Sequence, residues 1–111
     1  MKVCFEEIGR VSATFAAGEG HSGKVCKVCG NGEVAVCAEG EAFCGVMEHF
    51  RKGFAGVQLH GFVTVAYSGS APGLGYQALV ANANGGIKLG GSREYLVVSV
   101  DEKTMHAVIE L

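Results

Sequence analysis

Apolar and polar residues alternate along most of this chain, with a period of two rather than the 3.6 of a helix. β-Branched and aromatic residues fill the apolar positions, and glycine and asparagine punctuate the runs. The pattern predicts strands over residues 10–16, 24–29, 34–38, 43–49, 54–67, 76–81, 86–89, 94–100 and 105–111. Two links read as hairpin turns. Asn31-Gly32 is a pair favoured by the tight type I′ turn, and Asp101-Glu102-Lys103-Thr104 lies between two alternating runs. One short helix is compatible with the pattern near 42–51, although Gly45 weakens it. Strands recurring at about 8–12 residues between turn signals predict an all-β fold, a small barrel or sandwich of short, mostly antiparallel strands. Closure would remove exposed edges, which are hazardous in strands so rich in valine.

Composition narrows the function classes. The chain has 111 residues, enough for one domain with its own core and no need of disulfides or metal. No linker or repeat divides it. Residues 23–111 are expected to form a single β domain, and residues 1–22, with Gly9, Gly18 and Gly20, an N-terminal arm or loosely packed segment. Net charge is −2 and 18% of residues are charged, so there is no basic field to track a phosphate backbone and no nucleic-acid partner is expected. Glu6 and Glu7 interrupt any leader-like apolar run, and no stretch reaches the ~18–20 apolar residues of a membrane span. Five cysteines, an odd number, then favour reduced thiols in a cytoplasm. The 18 glycines exceed the usual usage of about 7%. They point to many tight turns, or to a fold that gains stability from association.

Residues 18–34, GEGHSGKVCKVCGNGEV, contain three chemical signatures. Gly18 to Gly23 spells G-x-G-x-x-G, Gly18 to Lys24 spells G-x-x-x-x-G-K, and Cys26 to Gly30 spells C-x-x-C-G. A phosphate loop works because a helix follows the glycines and its N-terminus adds free donors and positive potential. Here a β-rich run and the Asn31-Gly32 turn follow, so no helix fits. Val25 also stands where a Ser or Thr hydroxyl would ligate magnesium. No βαβ unit surrounds the dinucleotide version. Residues 18–23 therefore read as a Gly-rich surface loop, and no cofactor is expected.

Cys26, Cys29, Cys37 and Cys44 are spaced C-x2-C-x7-C-x6-C. Four thiolates satisfy tetrahedral zinc, but a zinc ribbon brings two close pairs and the second is missing here. With Asn31-Gly32 as the loop, Gly30 faces Glu33, Cys29 faces Val34 and Cys26 faces Cys37. Alternation then sends Cys26 and Cys29 to opposite faces of one strand. The expectation is no metal site, with thiols serving as small buried apolar residues. Cys26 and Cys37 would be near enough to pair under oxidation. The alternative is a zinc-stabilised binding module using Cys26, Cys29, Cys37 and Cys44.

The four histidines lie outside any H-E-x-x-H or H-x-E pattern, and no G-x-S-x-G elbow offers a serine nucleophile. His60 shares an alternating face with Gln58 and Phe62, His49 sits among charges, His21 belongs to the Gly-rich loop, and His106 alternates with the last apolar run. Glu39 and Glu41 flank Gly40 in a loop. A Cys–His pair assembled only in space stays open as a rival. The expectation is no enzyme and no catalytic residue.

Several segments together resemble a known family. They are Phe43-Cys44-Gly45-Val46, residues 53–69 with Val57-Gln58-Leu59-His60-Gly61-Phe62-Val63, residues 78–88 ending Gly85-Gly86-Ile87-Lys88, residues 95–101, and the closing Val108-Ile109-Glu110-Leu111. In this order they resemble the small β-barrel proteins that decorate the heads of tailed phages and prophages, over about residues 23–111. The resemblance implies a non-enzymatic structural role, with the phage major capsid protein as partner. It also implies a homo-oligomer, a trimer foremost, located in the virion after assembly and in the bacterial cytoplasm before it. The cysteines stand where such proteins tolerate Ser, Ala or Val, and the first twenty residues would be the arm that contacts the shell.

Overall fold

The computed structural model describes residues 10–18 and 20–111, and none of these is helical. Nine strands carry the fold: β1 (Val11–Ala17), β2 (Val25–Gly30), β3 (Glu33–Val36), β4 (Gly45–Arg51), β5 (Phe54–His60), β6 (Phe62–Ala66), β7 (Gly75–Ala81), β8 (Ile87–Asp101) and β9 (His106–Glu110). The first five close into a barrel in the order β1-β3-β2-β4-β5, with β5 returning to β1. The other four form an open sheet, β6-β9-β8-β7. Pairing is antiparallel except between β1 and β3, which run parallel through Ala16–Glu33 and Ala17–Val34, and at an isolated bridge between Tyr67 and Ile87. The all-β expectation and the barrel form are thus met, and both anticipated hairpins are present.

The differences lie where glycine or a register shift disturbs alternation. Residues 45–51 of the segment allowed as a helix form β4. Gly45, Val46 and Met47 are buried in succession, and the register shifts between Met47 and His49, so the local spacing imitates a helical one. β4 turns into β5 through Lys52 and Gly53, whose φ angles of 38° and 86° make this the type I′ hairpin. At Asn31-Gly32 only Gly32 is left-handed (φ 67°), and the register shifts at Cys29, so Cys26 faces Val36 rather than Cys37. The long run 54–67 breaks at Gly61, where φ is 98°. The runs 86–89 and 94–100 belong to one strand, β8. Leu89 faces Leu79 and Glu94 faces Ala78, so Gly90 to Arg93 is looped out between two stretches on the same partner.

Residues 1–9 of the expected arm lie outside the described residues. Its later part is no arm: β1 is a barrel strand, paired with β5 from Val11 to Ala16. The side chains bury themselves in two clusters. Ala17, Cys26, Val34, Met47, Ala55 and Val57 fill the barrel. Phe43, Tyr67, Leu79, Ile87, Tyr95 and Ile109 lead the second, which takes Val25, Cys37 and Val46 from the barrel side and covers the sheet.

Candidate functional site

The chemistry-bearing side chains that the fold brings together are cysteines, at the seam between the barrel and the sheet. β2 and β4 pair at only two positions, Val25–Val46 and Cys26–Gly45. Gly45 must be glycine, because a Cβ there would strike the Gln58 carbonyl oxygen on β5. Although Gly45 is the ladder partner of Cys26, the Cys44 N–H also donates to the Cys26 carbonyl, at 2.9 Å. Two residues thus oppose one. That is the arrangement of a β-bulge, which re-aims a side chain. Cys26 lies in the barrel cluster, and the re-aimed Cys44 packs against that same cluster. Cys26 is fully buried and Cys44 half-buried.

β8 holds Cys44 from the other side. Phe43 stacks on Tyr95 with ring centroids 4.6 Å apart, and the Tyr95 hydroxyl donates to the Phe43 carbonyl at 2.8 Å. Arg93 leaves the looped-out part of β8 and lies over the Tyr95 ring, 5.0 Å from its centroid, a cation–π contact. Residue 43 is therefore fixed to the sheet and residue 44 to the barrel, with a guanidinium nearby.

The two thiols are driven apart electrostatically. The hydrogen bond shared with Cys44, reinforced by burial, pushes the Cys26 thiol far up. The same bond from Cys26 brings the Cys44 thiol down to about 7, against the opposing effect of burial. The N–H groups of Cys44 and Val28 and the charge of Arg93 favour the same thiolate. The Cys26 S–H donates toward the Gly45 carbonyl at 3.6 Å.

The remaining two cysteines of the C-x2-C-x7-C-x6-C spacing do not complete a tetrahedron. Cys37 is buried, donates toward the Ala42 carbonyl at 3.7 Å, and is pushed up to about 11 by burial and then by the charge of Glu41. Cys29 is exposed, on the side of β2 opposite Cys26, with its thiol 3.6 Å from the Glu33 carboxylate. Desolvation and that carboxylate raise its pKa. Among the described residues, no group of three or more His, Cys, Asp or Glu side chains is arranged to hold a metal ion.

The Gly-rich loop leads straight into β2, a strand where a phosphate site needs a helix. Its groups are spent on the protein itself. Gly23 N–H donates to the Met47 carbonyl at 2.7 Å, Ser22 Oγ to the Glu48 carbonyl at 2.7 Å, and Lys24 Nζ to the Asn84 carbonyl at 3.1 Å. His21, His49, His60 and His106 are all exposed. His49 covers Gly56, and His106 Nδ1 lies 2.9 Å from the Thr104 carbonyl. A cleft of about 810 Å³ opens between residues 71–74 and 98–103, lined by neither histidine nor cysteine.

The Cys26–Cys44 contact was beyond the reach of spacing, since it depends on a bulge and not on ladder register. Arg93 and Tyr95 also went unflagged; the one signal for them was the Gly90-Gly91 pair marking a break just ahead of them. No protein-family model and no curated protein matches this chain.

Proposed function

We propose that this protein is a non-enzymatic structural subunit that associates with its own copies and binds the shell of a tailed-phage or prophage head as a decoration protein. The observation that carries the reading is the free edge of the four-stranded sheet. β7 has β8 as its one strand neighbour among the described residues. Its last residue is covered by a loop, through Gly40 N–H to the Ala81 carbonyl and Ala81 N–H to the Glu41 carbonyl, both at 2.9 Å. From Gly75 to Val80 the edge carries neither charge nor proline, the two devices that usually keep edges apart. Leu74 and Tyr76 stand exposed beside it, at 69% and 66%. An edge of this kind suits a protein whose working state is an assembly.

The rest of the molecule fits a rigid building block. A closed barrel backs the sheet, and no helix of the described residues is long and apolar enough to cross a membrane. The resemblance to head decoration proteins adds the shell and the trimer. The partner in this reading is the major capsid protein, the location the virion after assembly and the bacterial cytoplasm before it.

Sedimentation tests this directly. The full chain, 11.5 kDa, is run alone and with shells assembled from a tailed-phage major capsid protein of the host that carries the gene. Three-chain particles, or co-sedimentation with shells that is lost on Tyr76→Lys, support the reading. A monomer that ignores the shells overturns it.

A further inference from the structure

We propose that Cys44 and Cys26 form a peroxide-reactive thiol pair, in which Cys44 is the nucleophile and Cys26 the resolving thiol that closes a disulfide across the β2–β4 seam. This is independent of any shell and would stand if the decoration reading fell.

The geometry argues for it in three steps. The backbone bond from Cys44 N–H to the Cys26 carbonyl, 2.9 Å, fixes the two residues side by side. Neighbouring strands run about 4.7–4.9 Å apart, which puts residues joined by such a bond near the usual disulfide Cα range of about 4.4–6.8 Å. Cys26 belongs to the barrel core and Cys44 packs against that core, so closure needs no strand to move far. Exposure then separates the roles. Cys44 is half-buried and reachable by a small oxidant, whereas Cys26 is fully buried and shielded from it. The S–H of Cys26, two N–H groups and Arg93 all favour the thiolate on Cys44, and only the thiolate attacks. Cys29, the most exposed thiol among those described, lacks this setting, because the Glu33 carboxylate opposes its ionisation.

The chemistry balances with a hydroperoxide as oxidant. The Cys44 thiolate attacks the distal oxygen and the O–O bond breaks. The sulfur is oxidised to a sulfenic acid, and the peroxide leaves as alcohol or water after taking a proton. Cys26 sulfur then attacks the Cys44 sulfur, the S–OH bond breaks, and the hydroxyl leaves with the Cys26 proton as water. Two thiols and one hydroperoxide become one disulfide, one alcohol and one water. A small-molecule thiol restores both cysteines by exchange.

The test is stoichiometric hydrogen peroxide on the reduced full chain, followed by intact mass and peptide mapping without reduction. The expected result is a loss of about 2 Da, the two thiol hydrogens, with peptides 26 and 44 linked. Cys44→Ser should slow peroxide consumption by at least about tenfold, while Cys29→Ser leaves it unchanged. Cys26→Ala, an apolar replacement that leaves the buried site uncharged, supplies the second readout. With the resolving thiol gone, Cys44 sulfenic acid should persist and be trapped by dimedone, and no 2 Da loss should occur. Oxidation first at Cys29, a link to any other cysteine, or a Cys44→Ser protein as reactive as the wild type would overturn the assignment.

Discussion

The barrel and the four-stranded sheet are made from similar alternating strands, yet they bury different side chains. Alanine, valine, cysteine and one methionine fill the barrel. The layer against the sheet adds phenylalanine, tyrosine, leucine and isoleucine to valine, alanine and cysteine. A five-stranded barrel is narrow, so small residues and one long side chain, Met47, fill its interior, and its coherence comes from a ladder closed on itself. The sheet has edges and must be held by broad apolar side chains packed against the barrel wall. The glycine excess acquires a meaning from this contrast. At Gly45 the barrel wall is too close for even a methyl group, so lost side-chain burial is the consequence of close strand approach.

The largest effect should follow from emptying the layer between the two regions. Phe43 is 1% exposed and stacked on Tyr95, and Phe43→Ala should cost about 3–5 kcal/mol in urea unfolding. The same variant should raise Cys44 alkylation in the folded state, since residue 43 is what ties Cys44 to β8. A loss below about 1 kcal/mol would mean the stack contributes no more than a surface contact, and the contrast between the regions would fail.

The barrel should respond to the opposite change, volume added. Gly45→Ala places a methyl group against the Gln58 carbonyl and should cost about 1–3 kcal/mol, because backbone rather than a flexible side chain must yield. It should also disturb the Cys26–Cys44 contact, read as slower disulfide formation with hydrogen peroxide. An unchanged unfolding midpoint would show that β4 has room beside β5 and that the barrel is looser than its register implies.

Much of this architecture was legible as alternation, because one buried face per strand is a local property. Both hairpins flagged by turn residues are there, and Asp101 caps its turn by accepting from Lys103 and Thr104 N–H at 3.0 and 3.4 Å. What sequence could not carry was register. The Asn-Gly pair suggested the type I′ turn, but that turn formed at Lys52-Gly53, where a sharp link between β4 and β5 outweighs the cost of a left-handed lysine. The shift at Cys29 moved the ladder partner of Cys26 by one residue, to Val36 instead of Cys37. The bulge at Cys44 created a different contact that no spacing encodes. The resemblance to head decoration proteins added a location and a partner, neither of which alternation contains.

A smaller change probes the tie between the regions without altering volume. Tyr95→Phe keeps the stack and removes the bond to the Phe43 carbonyl, and should cost about 1 kcal/mol. Its effect on Cys44 alkylation should be smaller than that of Phe43→Ala. If the two variants were equally damaging, the hydrogen bond and not the aromatic packing would be what joins sheet to barrel.

The smallest effect expected is electrostatic, and it concerns the loop that closes the end of β7. Lys27 on β2 bonds Glu41 at 2.6 Å, and Glu41 also accepts from the Ala38 N–H at 2.6 Å, so a barrel residue shapes the loop whose backbone pairs with Ala81. The Lys27 ammonium, and then the Ala38 N–H, hold the Glu41 carboxyl below its ordinary range. A carboxyl lowered on folding contributes stability that is complete above its unfolded pKa and is lost as pH falls through the folded value. The advantage of the wild type over Glu41→Gln should therefore be constant near neutral pH and vanish in acid. High salt should also shrink it, since the pair is solvent-exposed. Urea midpoints of both proteins across that range decide the matter. A difference independent of pH would mean that the loop is held over β7 by its backbone bonds to Ala81 alone, and that the barrel does not reach across to guard the sheet's edge.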